Sequence, residues 1–221
     1  MALEVSADRL IADEALARQE AVRRKLAVIG TLGILRNAAI ASLLTKAEHM
    51  SLSYAPIGIA RARSVPRFNL DETTTVVGHG EADFARAVDA LTAWKHMRLG
   101  WLEVVPREPS IEVGTTVLVM VRHVGMWSLN GCRVVYSVEE STGVYTSFGF
   151  AYGTLTEHAE RGEEIFEVRF DRRSGDVVYR IRAASQPRAL LAKFGSPLAR
   201  HLQERFRRDS CEAMRMATAS G

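Results

Sequence analysis

Residues 145–170, YTSFGFAYGTLTEHAERGEEIFEVRF, alternate strictly on either side of a polar turn. One parity holds Thr146, Phe148, Phe150, Tyr152 and Thr154, then Glu164, Phe166, Val168 and Phe170. A strand turns successive side chains to opposite faces. The pattern therefore predicts a hairpin with aromatic rings, a few hydroxyls and one carboxylate on a single face. Such a face suits the wall of an apolar, ligand-sized interior.

The same reading extends along the chain. Thr73 to Val77 is β-branched and predicts a strand ended by Gly78 and Gly80. Glu81 and Asp83 suit the positive end of a helix. Phe84, Val88, Leu91 and Trp94 recur at helical spacing, with Arg86, Asp89 and His96 on the opposite side, which predicts a helix to about Leu99. Six strands follow, at 101–105, 115–123, 131–139, 144–155, 163–170 and 176–183. Their links are short, so neighbouring strands are expected to pair antiparallel. Pro187 suits the first turn of a helix holding Leu190, Leu191 and Phe194, and Ser196-Pro197 opens another with an apolar stripe at Leu198, Leu202 and Phe206. The expected architecture is α+β: a curved antiparallel sheet closing on a long C-terminal helix. By parity Tyr136 and Tyr179 also face inward, although one β-bulge would reverse the parity beyond it.

Residues 1–50 have a different texture and are read as an N-terminal helical extension to a main domain at 51–221. Residues 2–25 are Ala-rich with mixed charge and predict an exposed helix. Residues 27–44 form an apolar run with Arg36 and Asn37 in its middle. A spanning helix needs about 20 apolar residues, and a central Arg costs about 2.5–3.5 kcal/mol, which argues against a span. Acidic residues before the run argue against a secretory signal. Packing on its own domain is the simplest role. Residues 23–50 are also the candidate for contact with a membrane surface or a second copy of the chain.

Composition narrows the field. An apolar fraction of 47% and a charged fraction of 25% are ordinary for a globular chain of 221 residues. A net charge of +3 by itself predicts neither nucleic acid nor membrane binding. The C-terminal segment from Pro187 has seven bases against three acids, which reads as a solvated helix face, and no nucleic-acid partner is expected. Cys132 and Cys211, far apart in sequence, are read as free thiols of a cytoplasmic protein, one long-range disulfide being the alternative. Peripheral attachment to a membrane is the alternative to a purely cytoplasmic location. No metal motif, phosphate loop or nucleophile elbow occurs, so no metal and no cofactor is expected.

A set of motifs resembles a known family: WKHMRLGW (94–101), WSLNGC (127–132), GFAYGTL (149–155), His158 with GEEIF (162–166), and SQP (185–187). Together they look like a domain of unknown function found in bacteria and plants. That family is grouped with the helix-grip superfamily of START lipid-transfer domains, aromatic polyketide cyclases and birch-pollen-type allergens. The resemblance covers about Leu52 to Met216. It implies the helix-grip fold and, loosely, an apolar ligand cavity, and supplies no catalytic residues. A plant member is discussed as a chloroplast outer-envelope pore, which keeps a membrane role among the alternatives.

The expected function is binding of a hydrophobic small molecule such as a lipid, isoprenoid or polyketide-like compound. Tyr136, Phe148, Phe150, Tyr152, Phe166, Tyr179, His79 and Trp127 are the candidate ligand-binding residues, Trp127 as a gate in a turn. The alternative is a cofactor-independent cyclase, dehydratase or isomerase. It would use Glu164, whose aromatic surroundings favour the neutral acid, with His158 as proton partner. Each has a blander role: Glu164 a wetted strand end, His158 a turn histidine binding backbone, the tyrosines core rings. Glu163, on the other parity, is expected to be a solvated charge.

Overall fold

The structure is a computed structural model describing residues 9–11, 27–29, 31–123, 126–187 and 196–219, with side chains described over 37–122, 128–186 and 200–219. It contains two compact units, 1–46 and 47–221. In the first, β1 (Arg9–Ile11) pairs in parallel with β2 (Ala27–Ile29), and α1 (Thr31–Glu48) follows. Two helical expectations change here. Residues 9–11 are extended, and the run expected to be helical from Ala27 begins as a strand, in keeping with the β-branched Val28 and Ile29. The rest of 2–25 lies outside the described residues. The apolar residues of α1 are spread around its circumference rather than gathered on one face. No helix among the described residues is long and apolar enough to cross a membrane.

The second unit is built on a seven-stranded antiparallel sheet: β3 (Asn69–His79), β4 (Leu102–Val105), β5 (Thr116–His123), β6 (Met126–Ser141), β7 (Tyr145–Thr154), β8 (Glu160–Asp171) and β9 (Asp176–Pro187). The meander β4 to β9 returns the chain beside β3, so the order across the sheet is β3-β9-β8-β7-β6-β5-β4. On the inner face, α3 (Ser196–Ala219) packs against β3, against α2 (Glu81–Thr92) and against the 3₁₀ turn Lys95–Met97. A curved sheet holding its C-terminal helix is the α+β helix-grip arrangement. The helix expected just after Pro187 and the side chain of Leu198 lie outside the described residues. Leu202 and Phe206 face the sheet as the stripe predicts.

The helix expected to run to Leu99 stops at Thr92. Trp94 takes a left-handed conformation (φ 56°), and its indole N–H donates to the Pro109 carbonyl at 3.0 Å. That twist carries His96 inward, against the expectation that it lies on the polar side. It is fully buried among Trp94, Phe150, Phe166 and Tyr179, with neither ring nitrogen hydrogen-bonded among the described residues. Burial pushes its pKa down to about 3, so the imidazole is neutral. Cys132 and Cys211 are both buried and free, which removes the disulfide alternative.

The outer face of the sheet is also covered at one end. Tyr54, Ile59 and Ala60 pack there over Ala151, Ile165 and Ala184. Small residues make the room: a Cβ on Gly153 would sit 2.3 Å from the Tyr54 hydroxyl. Gly153→Ala is therefore expected to lift this covering segment and destabilise the unit by about 1–3 kcal/mol, read from urea unfolding. Unchanged stability would mean that Tyr54 does not seat against β7.

Candidate functional site

Between α3 and the inner face lies a cavity of about 430 Å³. Met97, Trp101 and Leu102 line one side, Val119 and Val121 come from β5, and Leu202 and Phe206 come down from α3. On β9 the inward position is only Ala183, which leaves the space that a larger residue would fill. Trp101 is held by its own indole N–H, which donates to Asp209 Oδ2 of α3 at 2.9 Å.

The polar part of the lining is carried by β7, β8, β3 and α3. The Tyr152 hydroxyl donates to Glu164 Oε2 at 2.8 Å. The Gln203 amide donates to Glu160 Oε1 at 2.8 Å. Arg207 sits 3.7 Å from Asp71. The Glu164 carboxyl keeps some access to the cavity space while protein surrounds it, so it is poorly hydrated. Burial pushes its pKa up to about 7, the hydrogen bond from Tyr152 and the charge of Arg207 working against that rise and the charges of Glu160 and Asp71 adding to it. Burial also raises the pKa of Glu160, opposed by Gln203 and reinforced by Asp71. Behind them, burial and the Glu164 charge push the Cys132 thiol up, so it stays protonated and is a poor nucleophile. A carboxyl that titrates near neutrality, holds a phenol and faces an apolar space can orient a ligand's polar group or exchange a proton with it. Among the described residues no group of three or more His, Cys, Asp or Glu is arranged to hold a metal ion.

Of the residues singled out in the sequence, Glu164, Tyr152 and His158 line this cavity. His158 accepts the Glu160 backbone N–H on Nδ1 at 2.9 Å. Phe150 and Phe166 are completely buried behind Tyr152 and belong to the core, with Phe148 packed at its margin. Tyr179 is likewise core, its hydroxyl 3.0 Å from Ser210 Oγ. Tyr136 is on the wrong face: the pairing of β6 with β7 shifts between Val134 and Tyr136, and this bulge turns the phenol outward. His79 is at the opposite end of the sheet, largely exposed and 3.6 Å from Asp176. Trp127 is not in a turn. Its backbone pairs with Arg122 inside β6, and its side chain lies outside the described set.

Glu163 corrects the reading most. Instead of a solvated charge it is 2% exposed on the outer face. Its carboxylate accepts four hydrogen bonds: from the Tyr54 hydroxyl (2.8 Å), the Gly58 N–H (2.8 Å), the Ala60 N–H (3.1 Å) and the Tyr136 hydroxyl (2.5 Å). Glu163 thus clamps the covering segment onto β8, the strand that carries Glu164. The sequence signal was present: the outward parity of the hairpin reads Gly149, Ala151, Gly153, too small to be a finished surface.

A helix-grip domain with a mostly apolar cavity under its terminal helix and a carboxyl–phenol pair in the lining is the class that fold and site define. Within that class the chain belongs to the family described as Domain of unknown function (DUF1990), which matches residues 53–213. A UPF0548 protein of Dictyostelium discoideum is 35% identical over 161 residues, 69% of this chain and 74% of that protein. A UPF0548 protein of Arabidopsis thaliana is 33% identical over 149 residues, 66% and 72% of the two chains. The crystal structure of Ara h 8.0201 aligns with 70% of this chain and 99% of its own, at 12% identity and a TM-score of 0.46. That last likeness is one of fold and carries no argument about the site.

Proposed function

We propose that the protein binds an apolar small molecule in the cavity beneath α3, with the molecule's polar end against Glu164 and Tyr152. The observation that supports this is the 430 Å³ space itself, of ligand size and bounded mostly by apolar surface, with the poorly hydrated carboxyls of Glu160 and Glu164 at its polar end. Affinity comes mainly from apolar burial, at about 25 cal/mol per Å² before the costs of association. Native mass spectrometry of protein purified from cells, followed by thermal shift across a lipid and isoprenoid library, tests the proposal. Leu202→Trp, which fills the cavity from α3, is expected to abolish any shift while leaving a folded protein. A co-purifying molecule retained equally by Leu202→Trp would place the ligand elsewhere.

A second reading is proton-transfer catalysis on such a molecule. It is favoured by one observation: Glu164 titrates close to neutrality while holding Tyr152. Its test follows from the first. Incubating the co-purified molecule in D₂O with protein is expected to exchange an acidic C–H, and Glu164→Gln is expected to slow exchange at least about 100-fold. Equal exchange with both proteins rejects catalysis and leaves binding untouched.

A further inference from the structure

We infer that the cavity selects a ligand whose polar end is a cation or a strong hydrogen-bond donor, an amine in the simplest case, and disfavours carboxylates and phosphates. The inference rests on the proposed binding role and concerns the head group of the ligand.

It follows from the balance of groups around the polar part of the lining. Three carboxyls face it: Asp71 from β3, and Glu160 and Glu164 from β8. Among the described residues two cationic side chains come near. Arg207 of α3 is engaged by Asp71 at 3.7 Å. Arg161, also in the lining, donates through Nε to the Ser53 carbonyl at 2.7 Å. Glu160 and Glu164 are left with neutral partners, an amide and a phenol, among the described residues. Among the described residues a ligand carboxylate entering here meets three carboxyls against two cations, one of them already paired with Asp71. A ligand ammonium meets two carboxylates short of positive charge in a weakly screened space, where a charge-assisted hydrogen bond is at its strongest.

The groups that set the pH response are Glu160 and Asp71, which raise the affinity of Glu164 for its proton, Arg207 and Tyr152, which lower it, and Cys132, whose thiol stays neutral. An ammonium ligand binds the ionised carboxyl, so its affinity is expected to rise between pH 5.5 and 8. An alcohol is expected to change little over that range, and a carboxylate to bind more weakly as pH rises.

The experiment uses the full chain and three probes of one length, decylamine, 1-decanol and decanoate, each titrated by competition against a fluorescent fatty probe at pH 5.5 and 8. At pH 8 decylamine is expected to bind at least about tenfold more tightly than 1-decanol, and 1-decanol more tightly than decanoate. Glu164→Gln is expected to remove most of the amine preference, weakening decylamine at least about tenfold more than it weakens 1-decanol. Glu160→Gln reduces the same preference and serves as the second variant should Glu164→Gln fold poorly. Binding of 1-decanol with no preference for the amine, or with decanoate tightest, overturns the head-group inference and leaves the cavity reading standing. Absence of binding by all three probes overturns both.

Discussion

Glu163→Ala is expected to lower the unfolding free energy by about 3–5 kcal/mol, the combined cost of the buried donors it leaves unsatisfied. The loss is large because four donors converge on this carboxylate, two of them backbone N–H groups. These two, of Gly58 and Ala60, cannot rotate to find another acceptor, and an unsatisfied buried donor costs about 1–3 kcal/mol. Glu163→Gln separates shape from chemistry. Each carboxylate oxygen accepts one backbone N–H and one phenol, so the amide NH₂ must point at a donor in either orientation. Gln is therefore expected to cost about 2 kcal/mol despite being nearly isosteric. Tyr136→Phe removes a single donor and is expected to cost about 1 kcal/mol. Urea unfolding of the three variants reads the order directly. A Gln variant as stable as wild type would show that water, not the covering segment, satisfies Glu163. The total stability of a domain is about 5–15 kcal/mol, so this one carboxylate accounts for a large share of it.

The order of strands, the antiparallel hairpins and the helix that covers them were legible because each rests on a period: two for β4 to β9, 3.6 for α2 and α3. Glu164 and Tyr152 were legible for the same reason, since parity places both inward and no bulge intervenes between them and the core rings. Two of the failures came from a break in a period. One extra residue near Val135 sends Tyr136 outward. One left-handed residue, Trp94, sends His96 inward. Neither break carries a Gly or Pro to announce it. Cavity and core share the inward parity, so alternation cannot tell Phe150 from Tyr152. That distinction depends on the missing bulk of Ala183 on β9, two strands away, where it pairs with Glu164 of β8. The small outward residues Gly149, Ala151 and Gly153 announce a cover, but the partner that clamps Glu163, Tyr54 more than a hundred residues away, is encoded by no local pattern.

Glu164→Gln is expected to stabilise the protein above pH 7, the opposite of what loss of a buried hydrogen-bonded acid ordinarily does. The sign follows from proton linkage. Burial raises the folded-state pKa of Glu164 from 4.5 to about 7. Between these values the folded protein holds a proton that the unfolded chain has released, so wild-type stability falls as pH rises through that window. The interval corresponds to at most about 3 kcal/mol, and partial access of the carboxyl to cavity water lowers this to about 2 kcal/mol. Gln has the shape of the neutral acid, can still accept the Tyr152 hydroxyl and does not titrate. The two proteins should therefore match in stability below pH 4.5 and diverge above it, the Gln variant ahead by about 2 kcal/mol at pH 8. Denaturation curves at half-unit pH intervals read this divergence, and Glu160, present in both proteins, largely cancels in the difference. A residue that weakens its own fold at neutral pH, in a space large enough for a ligand, fits the proposed role of Glu164 toward a ligand. A constant difference across the pH range would mean that Glu164 is as well hydrated as a surface acid, and its claim to be the reactive end of the cavity would go with it.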